Sequence, residues 1–257
     1  MEDKAEILEW YIMSGIDAIC TDEPKNWLIS DKVSESQAKN QAPNPRPATT
    51  LLAQESAAAC VNAREICAGA SDLAELKSAA ENFEGCALRF SANSTVFGYG
   101  NPQAEVMIIG EAPGADEDRE GKPFVGRSGQ LLTKMLAAIN LRRDDCFITN
   151  ILLWRPPGNR TPTDSEVAVC LPFLRRQIEL VKPKVIFLLG ASAANALLNN
   201  SESISSLRGR ILEYADDSGK IISCIASYHP AYLLRSAAQK AKSWSDLLRL
   251  RRFLEGN

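Results

Sequence analysis

Residues 105–110 read EVMIIG and are followed at 111–132 by EAPGADEDREGKPFVGRSGQLL. The first run is apolar and β-branched, which predicts a buried strand. The Gly/Pro-rich turn after it gathers five acidic residues and a lone aromatic, Phe124, before GRSG at 126–129 leads into a helix. In open α/β sheets, ligands bind just beyond the carboxyl end of such a strand. The stretch therefore predicts a ligand-binding loop at the edge of a sheet.

On both sides of this stretch, apolar runs alternate with helical patterns. The predicted strands are 105–110, 146–151, 184–190 and 221–226. The predicted helices are 129–140, 164–181, 191–199 and 241–254. Apolar strands that alternate with helices indicate a parallel sheet covered by helices on both faces. The sequence therefore predicts an α/β fold.

The first seventy residues differ in composition from the rest. Residues 3–20 carry apolar side chains at helical spacing and predict an amphipathic helix, whose apolar stripe needs either the protein's own body or a partner protein. Residues 21–58 are rich in Pro, Ser, Asn, Gln and Ala, which predicts a disordered linker. We therefore expect an acidic extension at 1–70 and the folded domain at 71–257.

Composition narrows the class of protein. The chain has 257 residues, of which 45% are hydrophobic, and no apolar run reaches the ~18 residues that a membrane span needs. The acidic first residues do not resemble a signal peptide, so we expect a cytoplasmic protein without a membrane partner. Seven dispersed cysteines without a CxxC pair predict buried thiols rather than a disulfide framework.

Charge is distributed unevenly along the chain. Residues 1–84 contain 15 Asp and Glu against 7 Lys and Arg, whereas residues 85–257 contain 17 against 22. An acidic N-terminal part followed by a basic remainder indicates a nucleic-acid partner. Ordinary solvated surface charge would give the same modest excess of basic residues.

The loops that follow the predicted strands hold the residues with chemical potential. They are Glu111, Glu117, Phe124, Asn150, Arg160 and His229. His229 is the only histidine of the chain and lies in the Pro-bounded loop SYHPAY. A histidine at this end of the sheet favours a functional role over a structural one.

Several common kinds of binding or catalytic site are excluded because their sequence motifs are absent. The sequence has no metal-ligand spacing of the HxxxH or CxxC kind, no GxxxxGK[ST] phosphate loop and no GxSxG nucleophile elbow. An aromatic ring can stack on a base, an amide can read a base edge, and a histidine can stabilise a departing anion. A carboxylate can orient water or offset positive charge on a sugar. Together these groups suit the cleavage of a base from its sugar.

Five longer motifs identify a family. They are GEAPGADEDREGKPFVGRSGQLL, TNILLWRPPGNRTPT, CLPFLRRQIELVKPKVIFLLGASAA, LRGR and YHPAYLLR. In this order they closely resemble the family 4 uracil-DNA glycosylases of the uracil-DNA glycosylase superfamily, over roughly residues 83–252. The resemblance implies a three-layer α/β/α sandwich with a central four-stranded parallel sheet. It also implies hydrolysis of the N-glycosidic bond of uracil in DNA, which leaves an abasic site in base excision repair.

The resemblance assigns roles to individual residues. Phe124 would stack on the flipped uracil, and Asn150 would read its N3 and O4 edge. His229 would stabilise the departing uracil anion, and Glu117 would position water or stabilise the charged sugar. The pocket lining would include Glu111 and Ala112.

Contacts to DNA are implied as well. The loop 232–235, with Leu233, Leu234 and Arg235, would enter the minor groove and fill the gap that the base leaves. Candidate phosphate contacts are Arg155, Arg160, Arg208, Arg210 and Arg235.

The sequence departs from the family at its iron–sulfur cluster. Family 4 members usually hold a [4Fe-4S] cluster with four cysteines, and two of these positions are kept here as Cys86 and Cys170. Phe83 and Trp154 stand at the other two. Because such a cluster requires four thiolates, we expect no cluster and no other cofactor, with two aromatic rings filling the space. Whether the two remaining cysteines pair stays open.

Three alternatives remain at this level. The fold could serve a non-catalytic DNA-binding module that recruits a partner through residues 1–20, although the complete set of site residues argues against this. A related glycosylase could prefer hypoxanthine or mismatched uracil. A covalent uracil-DNA trapping relative would carry an additional histidine near the first motif, which this chain lacks. We expect a monomer that acts on uracil-containing DNA.

Overall fold

One sheet forms the centre of the molecule. The structure, a computed structural model, describes residues 48–256. The strands are β1 (Tyr99–Gly100), β2 (Val106–Gly110), β3 (Cys146–Asn150), β4 (Val185–Leu189), β5 (Ile211–Ala215) and β6 (Ile221–Ser227). The four predicted strands are confirmed as β2, β3, β4 and β6. They pair in parallel, with Val106 opposite both Cys146 and Val185, and Val185 opposite Ser223.

The sheet has two more strands than the four expected, and both are antiparallel. Its order is β1-β3-β2-β4-β6-β5, with β1 antiparallel to β3 and β5 antiparallel to β6. The expectation of a four-stranded parallel sheet therefore describes only its centre. Continuous apolar runs reveal strands that are buried on both faces, whereas β5 alternates exposed and buried side chains, as an edge strand does.

Helices account for most of the remaining described residues. They are α1 (Ala48–Gly69), α2 (Leu73–Asn82), α3 (Leu88–Ser91), α4 (Ala115–Glu120), α5 (Arg127–Ala137), α6 (Asp164–Val181), α7 (Ala191–Leu198), α8 (Ile204–Leu207), α9 (Pro230–Arg235) and α10 (Lys240–Leu254). The four predicted helices are confirmed as α5, α6, α7 and α10. Within residues 48–256, no helix has both the length and the apolar character that crossing a membrane would require.

Side chains of β2 alternate between two hydrophobic cores. Met107 and Ile109 join a core shared with α1, α2, α6 and α7. Val106 and Ile108 join a second core shared with α5, α9 and α10. Because helices cover both faces of the sheet, the predicted three-layer α/β/α sandwich is confirmed.

The helix α1 occupies part of the predicted linker. Residues 48–58, expected to be disordered, form its first half, and Ala63 and Cys67 are buried where it packs on α6. Arg176 of α6 donates hydrogen bonds of 3.1 and 2.8 Å to the Ala70 carbonyl just after the helix. Alanine favours helix strongly, which outweighed the polar composition of this segment. The predicted helix at 3–20 lies outside the described residues.

We expect Ala63→Asp to destabilise the domain, because it places an unpaired carboxylate at a fully buried position of α1. The cost should be ~2–4 kcal/mol. For a domain of this size that is a fall in Tm of roughly 5–15 °C, measured by circular dichroism. Ala58→Asp, at an exposed position of the same helix, is the matched control and should melt with the wild type. Equal melting of both variants would show that α1 is not part of the folded domain.

Candidate active site

A cavity of about 460 Å³ lies where the loops after β2, β3 and β6 meet. Eight of the predicted site residues line it: Glu111, Ala112, Glu117, Phe124, Asn150, Arg160, His229 and Arg235. Two further lining residues, Ser128 and Asn159, lie within the quoted motifs but had no predicted role. A second cavity, of about 450 Å³, contains residues of α1 and α6 and none of this set. The first cavity is therefore the candidate active site.

Phe124 is held in a strained backbone conformation against the end of β2. Its φ is 54°, in the left-handed region that few non-glycine residues adopt. Gly129 permits this turn, since a Cβ there would lie 1.7 Å from the Phe124 carbonyl oxygen. A Cβ on Gly110 would lie 2.6 Å from the Phe124 ring and 2.4 Å from Oδ1 of Asn150. The ring is buried, and its centroid is 5.6 Å from that of His229. Ring and amide thus converge at Gly110, and the imidazole lies beside the ring.

Both carboxylate oxygens of Glu117 accept hydrogen bonds from the backbone of this loop. Oε2 accepts from the N–H of Gly114 at 3.1 Å, and Oε1 accepts from the N–H groups of Val125 and Gly126, both at 3.0 Å. The three bonds tie the start of α4 to the segment that carries Phe124. Since a carboxylate offers about four acceptor positions, one position remains for water or substrate.

Asn150 carries a buried acceptor without a partner. It ends β3 and is 2% exposed, and its Oδ1 accepts no hydrogen bond from the described part of the chain. Leaving a buried acceptor unpaired costs ~1–3 kcal/mol. Buried polar groups are nearly always paired, so this atom points to a donor supplied by a ligand. The amide also presents a donor beside that acceptor, a pattern that suits the edge of a base.

The imidazole of His229 is neutral and its tautomer is fixed. Burial, followed by the positive charge of Arg235, lowers the pKa of His229 to about 4, while Glu117 opposes this shift. The Nδ1 atom accepts a hydrogen bond of 3.2 Å from the N–H of Ala231. The proton of the neutral ring is therefore on Nε2, which is free to donate to a ligand.

The predicted DNA-inserting loop forms α9, and its leucines point in different directions. Leu233 is 1% exposed and belongs to the core beside α5 and α10, so its predicted role as a minor-groove wedge is wrong. Leu234 is 41% exposed and Tyr232 is 36% exposed. The helical turn explains the difference, because one position of each turn faces the core while its neighbours face outward. The exposed pair replaces Leu233 as the candidate wedge.

The arginines proposed as phosphate contacts differ in availability. Arg160 donates two hydrogen bonds to Glu166, at 2.9 and 2.6 Å. Arg208 is nearly buried in an ion pair with Asp246, so its predicted phosphate contact is wrong. Arg235 is exposed at the cavity rim. Of the remaining two, Arg155 donates to Asn159 and Arg210 pairs with Glu202.

The residues at the implied cluster position do not fit a [4Fe-4S] cluster. Phe83 and Trp154 are buried and stacked, with centroids 6.4 Å apart, and Phe83 also packs edge-on against Phe173 at 5.2 Å. Cys86 and Cys170 are buried free thiols, and their mutual hydrogen bond, followed by burial, raises the pKa of Cys170. Between residues 48 and 256, no group of three or more His, Cys, Asp and Glu side chains is placed to hold a metal ion.

Comparisons with known proteins agree with this geometry. Residues 97–248 match the family model of the uracil DNA glycosylase superfamily. A type-4 uracil-DNA glycosylase of Archaeoglobus fulgidus is 44% identical over 169 residues, which are 64% of this chain and 84% of that protein. A type-4 uracil-DNA glycosylase of Pyrobaculum aerophilum is 41% identical over 180 residues, 68% of this chain and 91% of that protein. A type-5 uracil-DNA glycosylase of the same organism is 33% identical over 152 residues, 52% of this chain and 65% of that protein. The chain therefore belongs to the uracil-DNA glycosylase superfamily, and its resemblance to the type-4 branch is confirmed.

Proposed function

We propose that this protein is a uracil-DNA glycosylase of base excision repair, which flips uracil out of DNA and hydrolyses its N-glycosidic bond. The observation that carries the proposal is the unpaired Oδ1 of Asn150, buried in a cavity that also contains Phe124 and the neutral His229. The names of the type-4 relatives support the same activity.

Asn150 would distinguish uracil from cytosine. Uracil presents an N–H donor at N3 beside a carbonyl acceptor at O4, and these match Oδ1 and Nδ2 of the amide. Cytosine presents an acceptor at N3 beside an amino donor, so in the same pose acceptor would face acceptor and donor would face donor. A site built to bond one pattern rejects its mismatch by roughly 10⁴-fold or more, because buried polar groups are left unpaired. The ring of Phe124 would hold the base by stacking.

His229 would stabilise the leaving group. When the bond between C1′ and N1 breaks, its electron pair stays on the base and the charge spreads to O2. The Nε2–H of the neutral imidazole would donate to O2, which stabilises the developing anion. A water molecule adds to C1′ and loses a proton, and the base takes up a proton. The products are an abasic site and free uracil.

Glu117 has two proposed tasks. Its bonds to the backbone N–H groups of Val125 and Gly126 would hold the segment that carries Phe124 in place. Its remaining acceptor position would orient the attacking water or offset the positive charge that develops on the sugar.

The exposed face of α9 would contact the DNA. Tyr232 lines the cavity, and Leu234 is exposed on the same short helix, so this pair is suited to fill the space of the extruded base. Arg235 is the better candidate for a phosphate contact, because Arg160 is already paired with Glu166. Unstacking a base costs a few kcal/mol, least at a mismatch such as U·G.

The activity would need neither a cluster nor a second copy of the chain. We propose that the rings of Phe83 and Trp154 replace the cluster as an apolar brace for the neighbouring loops. The residues assigned to base binding and bond cleavage line one cavity of one chain, which supports a monomer acting on DNA. A protein partner for residues 1–20 remains a prediction from the sequence.

We expect Asn150→Ala and His229→Ala each to slow uracil release at least ~100-fold, since each removes one preorganised contact to the base. The measurement is single-turnover release from labelled duplexes with one U·G or U·A pair, followed by alkaline cleavage. Asn82→Ala, an exposed amide at the end of α2, is the matched control.

Three outcomes would overturn parts of this proposal. No release of uracil by the wild-type protein would favour the non-catalytic DNA-binding module. Full rates in both variants would show that the base binds elsewhere. Duplexes with T·G or hypoxanthine test the related specificities, and faster release from hypoxanthine would reassign the substrate.

The single-turnover rate should be flat from about pH 5 to pH 8, because His229 titrates at about 4 and stays neutral throughout this window. Below it, protonation of Nδ1 would break the bond from Ala231 and the rate should fall. A step near pH 6.5, the ordinary value for histidine, would contradict the assigned neutral form.

Protein purified without oxygen should show no broad absorbance near 400 nm and no stoichiometric iron, because two of the four ligand positions hold aromatic side chains. The checks are an absorbance spectrum and a colorimetric iron assay. About four irons per chain would refute the aromatic brace.

A further inference from the structure

A buried ion pair lies beside the strand that leads to His229. The Nε of Arg208 is 2.7 Å from Oδ2 of Asp246, and the two side chains are 10% and 1% exposed. Arg208 comes from the LRGR motif, and Asp246 lies on α10. Neither residue lines the cavity of the proposed glycosylase site.

Asp246 holds the end of β6. Its Oδ2 accepts a second hydrogen bond, of 2.7 Å, from the hydroxyl of Ser227, the last residue of that strand. The Ser227 hydroxyl also lies 3.2 Å from that of Ser243 on α10. His229 follows two positions later, so only Tyr228 lies between Ser227 and His229.

Arg208 contacts Tyr228. Its guanidinium lies 4.5 Å from the centroid of the Tyr228 ring, and it also donates to the Lys242 carbonyl on α10. Tyr228 also contacts Tyr232, at 5.1 Å between ring centroids. Tyr232 lines the cavity. One arginine therefore braces both the residue before His229 and, through it, the cavity rim.

Stability alone does not account for this ion pair. Burial raises the pKa of Asp246 even though two donors bond its carboxylate. Replacing a buried ion pair with apolar side chains of similar volume is often neutral or stabilising. Because apolar side chains often serve as well in such positions, the contacts of this pair with both residues ahead of the imidazole point to a role in geometry.

We propose that Arg208 and Asp246 are positioning residues for uracil release, a role that rests on the proposed glycosylase activity. Together they fix Ser227 and Tyr228, so that the Nε2–H of His229 is directed at O2 of the base. A misplacement of about 1 Å remote from the reacting atoms can slow a reaction ~100-fold.

The test replaces the pair with apolar side chains, in the variant Arg208→Met/Asp246→Leu. Its Tm should stay near that of the wild type. Single-turnover release of uracil should slow by at least ~10-fold, while the Kd for uracil-containing DNA changes less than about 2-fold, because DNA contacts are left intact. Arg251→Met/Glu255→Leu removes an exposed ion pair with the same replacement residues and should keep the wild-type rate.

The decisive comparison uses His229→Ala as the background. Residues that act as one unit are strongly non-additive, so the apolar pair should slow this background less than about 2-fold. An equal fold loss in both backgrounds would overturn the inference, since the pair would then act independently of His229. Arg208→Lys, which keeps the charge but loses the planar group over Tyr228, gives the same readouts if the apolar pair fails to fold.

The two levels of the proposal fail in different ways. If the wild type releases uracil and a folded Arg208→Met/Asp246→Leu variant does so at the same rate, the positioning role is wrong and the glycosylase function stands. If the wild type releases no uracil, both are wrong.

Discussion

The close approach of a ring and an amide to the backbone of Gly110 constrains the whole candidate site. A side chain at this position would overlap both Phe124 and Asn150. The last residue of β2 must therefore lack a side chain for the Phe124 ring to take its place in the cavity. The strand that ends here is also the middle of the sheet's parallel centre, flanked by β3 and β4. A central strand of the sheet thus provides the backbone against which the site is assembled.

Near Gly110 the structure has several features that destabilise the folded state. Phe124 has a left-handed φ, Oδ1 of Asn150 has no partner among residues 48–256, and burial keeps His229 from charging. Each is costly alone, and such costs concentrate where a ligand is bound. The three bonds accepted by Glu117 and the packing around Gly129 hold the strained loop in place. The same preorganisation would let the site stabilise an anion without rearranging during the reaction.

Much of this could be predicted from the sequence, and the failures have physical causes. The central strands are predictable because strands buried on both faces are continuous apolar runs, whereas β5 alternates exposed and buried side chains and forms no such run. The role predicted for Leu233 is wrong because the sequence of a motif does not show whether an apolar residue faces DNA or the core. The partners of Glu117 depend on how a loop closes, and the Arg208–Asp246 pair joins residues 38 positions apart. Neither relation leaves a local pattern. The identities of the site residues are therefore predictable from the sequence, whereas the contacts that hold these residues in place are visible only in the folded structure.

The most direct test of the central claim is a crystal structure of the protein with uracil bound. Uracil should stack on Phe124, with its N3–H donating to Oδ1 of Asn150 and its O2 accepting from Nε2 of His229, each at about 2.7–3.2 Å. The Gly110 backbone and the Phe124 ring should move little from their present positions. Uracil bound elsewhere, or bound in this cavity with Oδ1 of Asn150 still unpaired, would contradict the account.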